Sequence, residues 1–432
     1  MQPFSINSYL SDLCKSNVSS NDEQQLSPLQ HSCLDALKHV GLPTRKTPGW
    51  QFLKMKSFFD QQYSSPTVLR QAIPEWVAAD NREKYSVVMV DGVYSDALSN
   101  LPAHVDLRSF DFNVVQSSAE FKTWKSYLCT LPRYEIMSKL GLFLAGRAFS
   151  LDVGQIDKKT TLNVYRYYTQ EHDCLYTEHA SIKISAGANV HLVEHPPVFS
   201  KSARSISQCV LRNTVIQQGV GGMLQHDVLG DIFSTQSFFD HVVVSCSRDA
   251  CYGRNALVSG DGIYRAYIQV NLCDQGAQSH VYGLAAPFQS GQLDTSLQVN
   301  HHAKNGTSRQ TIKSVVSDQA LSGFCGRVFV AKDAQQTDAG QISRGLLLSS
   351  RAQAVTKPEL EIYADDVKCA HGATVGHIDQ DALFYLRSRG LNDSSAKKLL
   401  VEGFLQSMIV CFNDVCLRDL AQSLLSRFLQ SL

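Results

Sequence analysis

YRAYIQVNLCDQGAQSHVYGLAAPFQSGQLDTSLQVNHHAKNGTSRQTIKSVVSDQALSGFCGRVFVAKD, residues 264–333, decides the fold. Short runs rich in Val, Ile, Leu and Tyr (YRAYIQVNL, SLQVNHH, TIKSVVS, GRVFVAKD) are separated by Gly, Asn, Asp and Ser, and no helical periodicity joins them. Such runs read as strands. The same texture extends from about residue 160 to 376, through NVYRYYT, SIKISAGANVHLVEH, HVVVSCS, GLLLSS and LEIYADD. Repeated short strands without helices between them make an all-β body: a sandwich, a barrel or a parallel solenoid. Few two-residue Asn-Gly or Asp-Gly turns occur between the runs, which favours the solenoid, whose coils each lie on the last.

Outward from this body the sequence turns helical. On the N-terminal side, Ser27 followed by Pro28 is a helix start, and Cys33, Leu34, Leu37 and Val40 give one apolar face that Gly41 and Pro43 end. SVVMVDGVYS, residues 86–95, predicts a strand and hairpin, and residues 118–144 predict a further helical stretch. On the C-terminal side, Asp379 caps a helix with Ala382, Leu383, Tyr385 and Leu386 on one face, ended by Gly390. Asp393 or Ser394 then caps a helix carrying Leu399, Leu400, Phe404 and Met408. A last helix carries Leu417, Leu420, Leu424 and Phe428. The expected division is a mostly helical part over 1–150, a β core over 151–376 and a helical part over 377–432.

The 432 residues are enough for two or three domains. Lys+Arg and Asp+Glu both number 40, so the formal charge is zero and no broad basic surface for nucleic acid or anionic lipid is expected. The opening residues, MQPFSINSYLSDLCKSN, lack a basic start followed by an apolar stretch, and no run approaches the ~20 apolar residues of a membrane span. A cytoplasmic location is expected. The 12 cysteines show no C-x-x-C pair and are expected to be thiols. The closest pairs, Cys246/Cys251 and Cys411/Cys416, read as small buried hydrophobes. No phosphate-binding G-x-x-x-x-G-K-[ST], no H-E-x-x-H and no G-x-S-x-G is present. GVGG at 219–222 lacks the context of a dinucleotide site. Nothing announces catalysis.

One segment is specific. PELEIYADDVKCAHGATVGHIDQDALFYLRSRGL, residues 358–391, resembles the most diagnostic stretch of the SufB/SufD family: Asp-Asp-Val, a Cys-x-His-Gly-Ala-Thr strand, then a helix reading Phe-Tyr-Leu-x-Ser-Arg-Gly. GRVFVAKDAQQTDAGQISRGLLLSS, residues 326–350, also matches. GLPTRKTPGWQFLKM, residues 41–55, resembles the family's Gly-x-Pro…Trp segment, although Gly49 stands where an acid is usual. SufB-like chains carry His-Glu-Ala-Thr at the aligned strand and a cysteine cluster in the N-terminal half. Here Gly372 takes the acid's slot and no cysteine cluster precedes residue 200, so both departures point to the SufD branch.

The resemblance implies a right-handed parallel β-helix flanked by helical N- and C-terminal domains. It implies a non-enzymatic scaffold subunit for iron–sulfur cluster assembly, pairing with a SufB-like scaffold at a β-helix interface. A SufC-like ABC ATPase would dock on the C-terminal helices, with Phe384, Tyr385, Arg387 and Arg389 as contacts. On a strand, Cys369 and His371 point the same way, and thiol plus imidazole suit iron or a nascent cluster. By the resemblance His371 is the transient ligand or proton shuttle at the SufB interface, shared with the partner chain, and Cys369 is the weaker candidate. No stably bound cofactor is implied, only a transient cluster; reduced flavin accompanies the family's full complex, but no flavin site is visible here. Cluster type, the route of iron entry and homodimerisation in isolation stay open. The alternatives are the paralogous primary scaffold SufB and an enzyme built on a β-helix. Against the latter, Asp365 and Asp366 are adjacent and face opposite ways. His301 and His302, also adjacent, read as one buried and one solvated ring, and His377 as a surface residue.

Overall fold

The computed structural model describes residues 4–5, 27–64, 75–78, 82–83, 85–111, 119–156, 158–200 and 205–430. Cys14 and most of the opening segment read for targeting signals lie outside these. The N-terminal part holds strands β1 (Phe4–Ser5) and β2 (Gln62–Tyr63), helices α1 (Pro28–Val40), α2 (Lys56–Asp60) and α3 (Glu75–Ala78), the hairpin β3 (Ser86–Val90) and β4 (Val93–Tyr94), β5 (Val105–Asp111), and helices α4 (Ala119–Thr130) and α5 (Ile136–Leu144). The hairpin forms as expected. The single helical stretch expected over 118–144 is two helices, because Pro132 removes a backbone donor in the intervening turn.

The body follows as β6 (Arg147–Val153), β7 (Thr160–Tyr168), β8 (Cys174–Ile184), β9 (Asn189–Glu194), β10 (Val198–Phe199), β11 (Gln208–Gln218), β12 (Met223–Ile232), β13 (Gln236–Cys246), β14 (Cys251–Gly260), β15 (Ile263–Leu272), β16 (Gln278–Pro287), β17 (Gln292–His301), β18 (Thr307–Val316), β19 (Leu321–Val330), β20 (Thr337–Leu347), β21 (Gln353–Ile362) and β22 (Val367–His377). From β11 on, each strand pairs in parallel with the strand two further on, as β11 with β13 and β12 with β14. The result is a solenoid of about eight turns built from a nine-stranded and an eleven-stranded sheet. The parallel β-helix is the fold, with helices at both ends of the sequence.

Coil corners replace hairpins. Gly187, Gly221, Asp249, Gly276, Asn305 and Gln336 all have positive φ, between 56° and 74°. Each N–H donates to a carbonyl in the next coil's corner, as from Asp249 to Gln275 and from Asn305 to Gln335. Gly, Asn and Asp tolerate this left-handed conformation, which is why the corners carry them.

Helices cover the two sheets from opposite sides. On the nine-stranded sheet, Leu34 and Leu37 of α1 and Ile136 and Leu140 of α5 pack with Leu211, Phe239 and Val243. On the eleven-stranded sheet, the C-terminal helices α7 (Asp393–Ile409) and α8 (Val415–Gln430) bring Val401, Leu405, Leu417 and Phe428 onto Leu229, Leu257 and Leu284. Fully burying one such side chain stabilises by about 1.5–3 kcal/mol. The buried face of α7 is Ala396, Val401, Leu405, Met408 and Ile409, so the expected Leu399 is instead 49 % exposed. Its cap is Asn392, not Asp393 or Ser394, because the Asn392 side chain accepts from the Ser395 N–H. Cys246 is buried as expected, whereas Cys416 is exposed and Cys251 and Cys411 are half-buried. The expected His301/His302 split holds: His301 is buried and His302 exposed.

Candidate functional site

Among the described residues, the last two strands have no further coil above them. β21 ends the nine-stranded sheet and β22 ends the eleven-stranded one. Each presents a row of unpaired backbone groups, a template for another chain. Ile362, Tyr363 and Val375 are exposed along this end.

β22 stands in register on β20, with Cys369 opposite Ala339, His371 opposite Gln341 and Ala373 opposite Ser343. Thr337, Ala339, Gln341 and Ser343 are the buried, inward-facing set of β20. Cys369 and His371 therefore continue the interior row of the solenoid into its open turn. Cys369 is half-buried and packs with Val328, Val330 and Ala339. Burial pushes its thiol pKa up, opposed by a backbone hydrogen bond from Ala339. His371 is exposed. The structure thus places the two expected residues side by side on one row, the thiol tucked in and the imidazole open. Among the described residues, no group of three or more His, Cys, Asp or Glu is arranged to hold a metal ion.

Behind this end the interior is polar in a way the sequence reading did not single out. Arg166 pairs with Glu178 at 2.9 Å and with Glu194 at 3.3 Å. Arg212 bridges Glu194 and Asp240, and Arg254 reaches Asp240 at 3.2 Å. His226 contacts Glu194 at 2.8 Å through Nε2, and its Nδ1 faces Arg254. Burial lowers the His226 pKa despite Glu194, so the ring is neutral, with Nε2–H donated to the carboxylate. Three guanidinium groups then balance three carboxylates. These charges lie inside strands whose apolar runs masked them; the signal available was a charged residue in each of several consecutive runs.

From Arg254, one column of the eleven-stranded sheet runs through Val281, Gln310 and Gln341 to His371. Gln341 Nε2 donates to Gln310 Oε1 at 2.6 Å. The column was visible in the sequence only as three polar residues about one coil apart.

The helix α6 (Gln380–Ser388) leaves the open turn. Asp379 caps it as expected, accepting from the Asp381 and Ala382 N–H groups. Leu383 faces inward, while Phe384 and Tyr385 are 73 % and 55 % exposed. The Arg389 guanidinium lies 5.1 Å from the Tyr385 ring centroid, on the shared face that the four-residue spacing gives. Arg387 points to Asp393 at 3.7 Å. All four expected docking residues are exposed. A cavity of about 850 Å³ lies elsewhere, in the N-terminal part, lined by Leu42, Trp50, Leu53, Met55 and Phe59 among others.

Residues 167–404 match the family model described as the SUF system FeS cluster assembly SufBD core domain. Over 412 residues the chain is 28% identical to the iron–sulfur cluster assembly protein SufD of Escherichia coli (strain K12), covering 94% of this chain and 93% of that one. It is 26% identical over 405 residues to an iron–sulfur cluster assembly SufBD family protein of Synechocystis, covering 90% and 87%. A 165-residue stretch is 41% identical to the chloroplastic protein ABCI7 of Arabidopsis thaliana, covering 38% of this chain and 34% of that one.

Proposed function

The chain belongs to the SufBD core family of iron–sulfur cluster assembly proteins, and from that membership we propose that it is a non-catalytic scaffold subunit whose open β-helix end pairs with a SufB-like chain. The supporting observation is the exposed His371 beside half-buried Cys369 on an uncapped interior row. In this reading β21 and β22 pair with strands of the partner, and the partner supplies further ligands, since one imidazole and one thiol make only half of a tetrahedral site. His371 holds iron or cluster sulfur transiently, or moves a proton as the cluster forms and leaves. The cluster is cargo, not a resident cofactor.

A SufC-like ABC ATPase docks on α6 through Phe384, Tyr385, Arg387 and Arg389, and its hydrolysis cycle moves the scaffold. No phosphate-binding loop is needed in this chain, which works in the cytoplasm. Among the described residues no helix is long and apolar enough to cross a membrane. The experiment is His371→Ala in the reconstituted complex. The expected result is an assembled complex with a strongly reduced cluster yield. A wild-type yield from that variant removes the site assignment.

A further inference from the structure

The Gln310–Gln341 pair is an oriented amide ladder with one end open. Both side chains are 1 % exposed and stand in register on the interior row. The 2.6 Å bond runs from Gln341 Nε2 to Gln310 Oε1. Among the described residues, two of their atoms have no hydrogen-bond partner: Gln310 Nε2, a donor, and Gln341 Oε1, an acceptor. Gln341 thus donates toward the earlier coil, and Gln310 accepts from the later one. The acceptor end meets the rung occupied by His371, about 4.8 Å on.

The site is shaped for this arrangement. Gly326, on the facing sheet, gives the amide its space: a Cβ there would lie 2.2 Å from Gln341 Nε2 and 2.5 Å from Phe324 Cζ. Thr356, on the interior row of β21, is a second group in this last turn whose hydroxyl has no partner among the described residues. A buried carbonyl oxygen in register with an imidazole is the partner that fixes which ring nitrogen carries the proton.

We propose that Gln341 is the positioning residue for His371: its Oε1 accepts the imidazole N–H, directly or through one water, so that the ring's other nitrogen presents its lone pair outward to the cluster. The purpose of this orientation rests on the role of His371 proposed above; the orientation itself does not. Gln310 holds the Gln341 amide in the required sense, so the acceptor cannot turn away without breaking the ladder. This assigns to the glutamine of the Asp338–Gln341 stretch a task that packing alone would not need.

The test is the tautomer of His371, read from its ring ¹⁵N shifts in the full-length chain labelled at histidine and assigned with His371→Gln. The wild type is expected to show one dominant tautomer. Gln341→Met, which keeps the volume and removes the acceptor, should show the tautomer mixture of a free imidazole. Gln341→Glu, which keeps an acceptor, should retain the single tautomer. A free-imidazole mixture in the wild type overturns the proposal even if no variant folds. An unchanged tautomer in a Gln341→Met chain of unchanged circular dichroism overturns it too. None of these readings depends on cluster yield, so the result stands apart from the outcome of His371→Ala.

Discussion

The Arg265 guanidinium lies over the Trp50 ring, 4.1 Å from its centroid, with both side chains fully buried between the N-terminal layer and the solenoid. The same guanidinium donates to Gly49 O at 2.6 Å and to Glu135 at 2.7 Å, and pairs with Asp294. One arginine of the solenoid thus fastens both the Gly49–Trp50 turn and the start of α5. Burial pushes the Glu135 carboxyl up, but Arg265 and His241 outweigh it and hold the pKa at about 2. Arg265→Leu leaves two buried carboxylates short of a partner, which costs about 3–5 kcal/mol. Denaturant midpoints should fall accordingly, and adding Asp294→Asn should recover part of the loss. A change below about 1 kcal/mol would contradict the fastening role.

Acid should loosen the protein before its carboxylates titrate. Burial holds the His179 imidazole pKa at about 3, raised only in part by the bond to Gly141 O; in the unfolded chain the value is about 6.5. Between those limits the unfolded state binds more protons, so stability declines as pH falls from about 6.5 toward 3. His301, lowered to about 4 by burial, acts in the same direction. His179→Gln should flatten the pH dependence of stability between pH 6.5 and 4 by on the order of 2 kcal/mol. Parallel curves for variant and wild type would refute this.

Charge on the open edge should abolish pairing without harming the fold. Val375 and Ile362 are 41 % and 37 % exposed on the last strands of the two sheets. Val375→Glu with Ile362→Glu should change the chain's own stability by no more than about 0.5 kcal/mol each, while copurification with a SufB-like partner is lost. Retained stoichiometric complex would show that pairing uses another surface.

The exposed aromatics of α6 give an independent handle. Phe384→Ala and Tyr385→Ala remove side chains that contribute little to this chain's core, so melting should be unaffected. Binding to a SufC-like ATPase, followed by titration calorimetry, should weaken by about 2 kcal/mol or more, roughly 30-fold. Equal affinity would move the docking site off this helix.

The sequence made the coil legible but not its internal wiring. Strand runs showed clearly because each is bounded by a corner, yet the residues that bond across coils are far apart: Asn300 donates to Asn271 Oδ1 from 29 positions away. Two strands fill each coil, so a run's sheet neighbour is never the next run. Polar and apolar residues also failed to alternate in strands such as β11, which is buried on both faces under helices α4 and α5. Cys369 and His371 were singled out as candidates because a motif surrounds them. Arg212, Arg254 and Gln341 were not, because their partners come from other coils. Helix α7 was misphased because its apolar residues run almost all round, so periodicity alone did not distinguish the exposed Leu399 from the buried Val401.

Arg166, Glu178, Glu194, Arg212, Asp240 and Arg254 neutralise one another across successive turns. Most stacked-repeat proteins can gain or drop a unit during evolution with little penalty. Here, losing the turn of β11 and β12 would remove Arg212 from between Glu194 and Asp240, and losing that of β8 and β9 would remove both Glu178 and Glu194, so either deletion strands unmatched ions in a buried interior. Electroneutrality therefore keeps these two early turns in place, and with them part of the span from the N-terminal helices to the imidazole at the open edge.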